Sequence, residues 1–453
     1  MLIVGGEVDG RPGVDVRVDG DRVAEVGPGL ARAAGEPVVE ADGGAVIPAL
    51  HDHHVHLRSL AASRASVRLG PPAVRDRAQF TAALRAAAAD ASDGAWVRGV
   101  GYHESVAGPL DRAALDAVVA DRPVRVQHRS GELWVLNSAA LRAVGRPNHG
   151  SGRLWRADRW LADVVPRVPL DLDAVSREAA ACGVAGFTDA DPERTQADLD
   201  ALAAAARAGE LRQRVVAMSA GGLDVDAGVG LAAGPRKLLL DDATLPPLPD
   251  LAATIAAAHH RGEPVAVHCV TRAQLVVTLA ALDDAGPRAG DRIEHAAVVP
   301  PELRDDMRRL GVTVVTQPHF VAERGDEYLT DVDPADRDLL YPCASLRAAG
   351  VPVAAGSDAP FGRPDPWAAM RAAVDRRTAS GAVVAGTERV AARAALGLFL
   401  GRPDAPGVER RVEPGEPADL CVLDRPLAAA LAALAPDAVA VTIARGRIVA
   451  DNR

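Results

Sequence analysis

Lys237 is the only lysine in the chain; the other 50 of its 51 basic side chains are arginine. A primary amine that is buried and neutral can add carbon dioxide to become a carbamate, or form a Schiff base, and a guanidinium can do neither. A carbamate is a carboxylate on a long arm, able to bridge two metal ions. Other groups of suitable chemistry recur in the sequence at the ends of apolar runs. Pro48-Ala-Leu-His-Asp-His-His-Val-His56 places His54 and His56 on one face of an extended strand, because alternate residues point the same way. Two imidazoles so placed are half of a metal site. Asp52 shares that face and is suited to orient a ligand from behind, whereas His51 and His53 point to the opposite side, as packing or surface residues. His268 ends VAVHC, His295 ends RIEHA, and Asp358 ends AAGSDAP. Four neutral imidazoles, a carbamate and a carboxylate would hold two divalent ions and leave room for bridging water.

Such a set works only if the strands that carry it converge. Eight apolar runs qualify: AVIPALHD, VAGFTDA, RVVAMSA, PRKLLLD, PVAVHCV, RIEHAAV, VTVVTQP and VPVAAGSD. Helical stretches such as LAATIAAAHHRG and PELRDDMRRLG separate them, which implies parallel strands in βα units. The expected class is therefore α/β, a (β/α)8 TIM barrel whose site lies at the strand C-terminal ends. Short β-branched runs broken by Gly and Asp fill both chain ends, and they predict one small β-sandwich built from both termini. The expected boundaries are 1–47 and 405–453 for the sandwich and 48–404 for the barrel. A large insertion at about 60–165 follows the first barrel strand, where lids and specificity elements belong. It holds Trp96, Trp134, Trp155 and Trp160, expected to pack its own core or to wall a substrate pocket.

Net charge is -10, and aromatics make up 3% of the chain, so neither a basic face for nucleic acid or anionic membrane nor a base-stacking platform is expected. Cys182, Cys269, Cys343 and Cys421 have no paired spacing and read as reduced thiols. The N-terminus lacks a basic n-region, and no apolar stretch reaches the ~18 residues of a membrane span. The expectation is a soluble, cytoplasmic protein acting on a small molecule, with a homodimer one assembly open to it.

IPALHDHHVHL, RIEHA and GSDAPFG, together with WVRGVGY, DRPVRVQHRSGELWVLNSAAL and VEPGEPADLCVLD, resemble segments of the amidohydrolase superfamily. The resemblance is to amidohydrolase family 3, the YtcJ-like group related to N-substituted formamide deformylases, over essentially the full chain. It implies one divalent metal on His54, His56 and Asp358 and a second on His268 and His295, with CO2-carboxylated Lys237 bridging them. Zinc is favoured by the imidazole and carboxylate donors. It also implies hydrolysis of a C–N amide bond of the N-acyl or N-formyl amine type. The nucleophile would be water acidified by metal, with Asp358 as proton shuttle and His295 and Lys237 also catalytic.

Departures from the family pattern concern the pocket. Gly131-Glu132 stands where Gly-His is usual, Thr271-Arg272 where Gly-Asp is usual, and Asp242 where Gly follows Asp241. Glu132, Arg272, His103, His128 and His319 are therefore the substrate-binding candidates, each weighed against an ordinary structural role. The alternatives are a mononuclear deaminase on the same barrel, to which Lys237 would be useless, an esterase or lactonase, and a non-catalytic scaffold.

Overall fold

Eight parallel strands form one sheet in strict sequence order in the computed structural model, which describes residues 1–166 and 170–453. They are Leu50–Val55, Val184–Asp189, Arg214–Ser219, Leu231–Leu238, Val265–Cys269, Arg292–His295, Thr313–Thr316 and Val353–Ala355, called here barrel strands one to eight. Helices follow most of them, as in Leu248–His260 after strand four and Arg272–Ala285 after strand five. Strands eight and one meet through main-chain bonds outside the regular ladder. At the C-terminal rim Asp358 N donates to His54 O (2.7 Å) and His56 N to Ala359 O (2.9 Å). Lower down, the buried Leu398–Phe399 segment stitches the seam, accepting from Ala355 N and His51 N, each at 2.8 Å. The barrel therefore closes where the candidate ligands sit.

Gly356 makes that closure possible. A Cβ there would come within 2.3 Å of the His54 backbone nitrogen, closer than any side chain tolerates.

Two expected strands are drawn differently. AVIPALHD is not one strand: Val46–Pro48 pairs with Leu420–Leu423 in a sheet of the terminal regions, and only Leu50–Val55 enters the barrel. The fourth strand starts at Leu231 and ends at Leu238, leaving Asp241 to cap a short 3-10 turn.

Both termini build a sandwich of two four-stranded sheets. One takes its strands from residues 2–40, and the other joins Val46–Pro48 to Leu420–Leu423, Val439–Ala444 and Arg447–Asp451. Alternation supplies the common core, in which Ile3, Val16 and Val39 meet Leu420, Val441 and Ile443. Asp9-Gly10, both with positive φ, form the two-residue hairpin turn that a twisted pair of strands requires.

Residues Leu57–Asp171 form a compact unit of their own, distinct from the unit made by Met1–His56 and Leu172–Arg453. It carries a five-stranded sheet and two apolar clusters. Trp134 is buried beside Leu136, Leu141 and Leu161, with Trp96 and Trp160 packed against them, so three tryptophans fill this core. Arg98 and Arg125 lie over the Trp134 ring at 5.3 and 5.0 Å, as cation–π partners. Trp155 is 60% exposed. No helix among the described residues is long and apolar enough to cross a membrane.

Candidate metal centre at the barrel rim

Strand one delivers His54 and His56 to the rim, and the turn after strand eight delivers Asp358. The Nε2 atoms of both imidazoles converge on one carboxylate oxygen, Asp358 Oδ1, at 3.5 Å from His54 and 3.2 Å from His56. These three residues offer ligand atoms that all lie within 4.8 Å of one another, the spacing that one cation bridges. Asp358 reaches its place with φ +49°, and His295 and Ala296 also have positive φ, at +70° and +45°. Non-glycine residues in the left-handed region cost energy and collect where a site demands an exact direction.

His268 and His295, from strands five and six, extend the cluster. Their ring centroids are 4.6 Å apart, and that of His295 is 4.8 Å from His54. Lys237, on strand four, is buried, and its Nζ has no hydrogen-bond partner among the described residues. Burial lowers its pKa against the pull of Glu294 and Asp358, favouring the neutral amine that carbamate formation needs. Lys237 is felt across the whole cluster. Burial first, and the Lys237 charge with it, hold His54 down to about 3 and depress His295, while for His268 the neighbouring His295 also outweighs Lys237. His54, His268 and His295 are thus neutral at physiological pH. Asp358 stays well below the usual carboxylate range despite its burial, because His56 hydrogen-bonds it and His295 and His54 stand nearby.

The tautomers are set from behind. His54 Nδ1 donates to Glu294 Oε2, a carboxylate that can only accept. His295 Nδ1 donates to Gln317 Oε1 at 2.7 Å. In both rings the Nε2 lone pair is left for a cation. Burial alone would raise the Glu294 pKa, but Arg292, His54 and Lys237 hold it well below the ordinary value. Arg292 Nε lies 2.6 Å from Glu294 Oε1, and Arg292 NH2 donates to His53 O at 2.7 Å.

Glu294, Arg292 and Gln317 were not singled out from the sequence. The signal was present: Arg292 and Glu294 are two charges on one face of a short buried strand, and Gln317 follows the β-branched TVVT. Asp52 does not orient an imidazole. Its carboxylate accepts from Ser357 N (2.8 Å), Ser357 Oγ (2.5 Å) and His54 N (3.2 Å), tying strand one to the end of strand eight. His51 and His53 are both buried, and His51 Nε2 meets Thr188 Oγ1 at 2.9 Å.

The pocket candidates divide. His319 is buried after strand seven, and its Nε2 donates to Ser357 O at 2.9 Å, bracing the turn that carries Asp358. Arg272 is exposed and paired with Asp336 (Nε to Oδ1 2.8 Å), and Thr271 Oγ1 donates to Asp242 (2.9 Å), so two of the departures touch each other. Glu132 is ion-paired with Arg156 at 2.8 Å within the insertion.

His103, Glu104 and His128 form a second trio of close ligand atoms, also in the insertion. Here Nδ1 accepts: Ser105 N donates to His103 Nδ1 (3.3 Å) and Ser130 N to His128 Nδ1 (3.1 Å). The proton of His128 is therefore on Nε2, which donates to Glu104 Oε2 at 3.0 Å.

A family model described as the amidohydrolase family matches residues 37–450. Two curated proteins match shorter stretches. Putative amidohydrolase YtcJ of Bacillus subtilis is 31% identical over 129 residues, 27% of this chain and 24% of that protein. N-substituted formamide deformylase of Arthrobacter pascens is 33% identical over 139 residues, 30% of this chain and 26% of that protein. The chain thus spans about a quarter of the length of the curated relatives it matches. Among solved structures, an uncharacterized metal-dependent hydrolase from Pyrococcus horikoshii superimposes with a TM-score of 0.75 at 20% identity, over 99% of each chain. At that identity the likeness speaks to the fold.

Proposed function

The chain belongs to the amidohydrolase family and is a hydrolase, and from that premise we propose that it uses divalent metal to cleave a C–N amide bond of the N-acyl or N-formyl amine type. The observation that carries the reading is the convergence of His54 and His56 Nε2 on Asp358, beside His268, His295 and a buried amine with no hydrogen-bond partner among the described residues. This donor set fits zinc-class ions. His54, His56 and Asp358 would hold one ion, and His268 and His295 the second, with carboxylated Lys237 between them. The chemistry supplied there by bound metal would be acidification of a water and polarisation of a carbonyl. Asp358 accepts a proton from the attacking water and passes it to the departing nitrogen. Its low proton affinity leaves it ionised and ready to accept at neutral pH. Glu294 and Gln317 keep two imidazoles presented as lone-pair donors throughout.

The test is hydrolysis of a panel of N-formyl and N-acyl amines, with matched esters and lactones, by protein loaded with zinc, manganese or iron. Turnover of esters alone would move the reading to the esterase alternative. Inactivity on every amide in every metal form would remove it.

One observation favours a mononuclear site acting as a deaminase. At the rim, His54, His56 and Asp358 are the one trio of His, Cys, Asp and Glu among the described residues with all ligand atoms in mutual reach. Metal stoichiometry separates the readings: close to two ions per chain supports the hydrolase, and one tightly held ion supports the deaminase.

A further inference from the structure

We propose that the two halves of the rim are graded in metal affinity by what stands behind their histidines: anionic Glu294 behind His54, and neutral Gln317 behind His295. The inference rests on the two-metal reading above and goes beyond it to the order in which the ions bind.

The backing of His54 is built for permanence. Glu294 and Arg292 are buried, and the Arg292 guanidinium spans both Glu294 oxygens, at 2.6 Å from Nε to Oε1 and 3.2 Å from NH2 to Oε2. The same guanidinium reaches the His53 carbonyl at 2.7 Å. Strand six therefore grips strand one twice, at the backbone beside His54 and at its ring. A buried carboxylate needs such a partner to remain ionised, and Arg292 supplies it without occupying the contact to Nδ1.

An imidazole whose Nδ1–H donates to an anion carries more electron density at Nε2 and is the stronger metal donor. Gln317 gives His295 the same tautomer but no charge. Its amide is oriented by an Nε2 contact to Val315 O at 3.5 Å, which leaves Oε1 toward His295. The ion on His54, His56 and Asp358 should accordingly be bound first and released last. The ion on His268, His295 and Lys237 should be the exchangeable one.

Stepwise zinc affinities of metal-stripped, full-length protein, read by competition with a chromophoric chelator, test the grading. Glu294→Gln should weaken the tighter constant by about 10–100-fold, the usual effect of removing such a partner, and leave the weaker one near wild type. Gln317→Glu should tighten the weaker constant. Because Glu294→Gln leaves Arg292 without its anion, the double variant Arg292→Met/Glu294→Gln guards against loss of folding. Nitrogen-15 NMR of the histidine rings in the metal-free protein reads the tautomers independently of any metal, and both His54 and His295 should carry the proton on Nδ1. Two ions of equal affinity, constants that ignore Glu294→Gln, or a His54 proton on Nε2 would overturn the grading. A single bound ion would sink the two-metal reading and the grading with it. In that case a response of the one constant to Glu294→Gln would still identify Glu294 as the residue that positions His54.

Discussion

Two clusters in this molecule contain the same residue types, histidines with a carboxylate, and present opposite faces to a cation. At the barrel rim the Nδ1 atoms of His54 and His295 donate to Glu294 and Gln317, so the lone pairs at Nε2 are presented to the site. In the insertion, backbone N–H groups of Ser105 and Ser130 donate to Nδ1 of His103 and His128, and the His128 Nε2 proton is used on Glu104. Most of the rim is buried and its His54 and His295 rings are braced from other strands, whereas the insertion trio is half-exposed and its Nδ1 atoms are satisfied by groups within two residues of each histidine. Ligand identity and proximity are common to both. The direction of the hydrogen bond at the other nitrogen separates a candidate metal site from a hydrogen-bonded cluster.

The strongest break of this contrast is at the rim's lone amine. Lys237→Arg keeps charge and approximate length but cannot form a carbamate, so one ion and nearly all turnover should be lost. Bicarbonate should speed reconstitution of metal-stripped wild type and do nothing for the variant. If Lys237→Arg retained two ions and normal turnover, the bridge would be wrong and the rim would differ less from the insertion.

Asp358→Asn keeps the shape and one oxygen ligand but cannot carry a proton. Turnover should fall by about 10²–10⁴-fold with metal content largely kept, as elemental analysis beside initial rates would reveal. Near-wild-type rates would assign the proton to another group.

The insertion should show the opposite pattern. His128→Gln ought to leave metal content unchanged and alter stability by no more than about 1 kcal/mol, the scale of an exposed ion pair. A reproducible loss of one metal equivalent would show that the trio is a ligand set after all.

The smallest effect concerns pH. Burial raises the Glu104 pKa, but a backbone hydrogen bond and the charge and hydrogen bond of His128, with His103 beyond, hold it below the ordinary value. A carboxylate with a depressed folded pKa adds stability that is present above its unfolded pKa, about 4.3, and lost as pH falls through the folded value. The melting-temperature advantage of wild type over Glu104→Gln should therefore be present above that range and shrink as pH falls through it. An advantage that grew as pH fell through the carboxylate range would reverse the sign and the assignment.

Much of the gathering of these residues at the rim was legible, because residue type and strand position can both be read locally. His54 and His56 follow from alternation, and His268, His295 and Asp358 from their places at the ends of apolar runs. Lys237 is legible by composition alone. The split of AVIPALHD was not, since nothing local tells Val46–Pro48 that its partner is Leu420–Leu423. Nor was the role of Asp52, whose position beside His54 suggested a ring contact when its partner is Ser357, 305 residues away.

By itself, then, the sequence determined which atoms are available to chemistry: the imidazoles, the single amine and the carboxylate, carried on five of eight apolar runs. It equally determined the hairpin turns and the alternation that builds the terminal sandwich, because backbone sterics and side-chain periodicity are local. Tertiary structure alone decided which of those nitrogens keep a lone pair toward the rim. The Nδ1 partner of His54 lies 240 residues away on strand six, and that of His295 lies 22 residues on, beyond a helix and another strand. An imidazole has two nitrogens and one proton when neutral, and the neighbour that takes the proton is supplied only when the barrel closes.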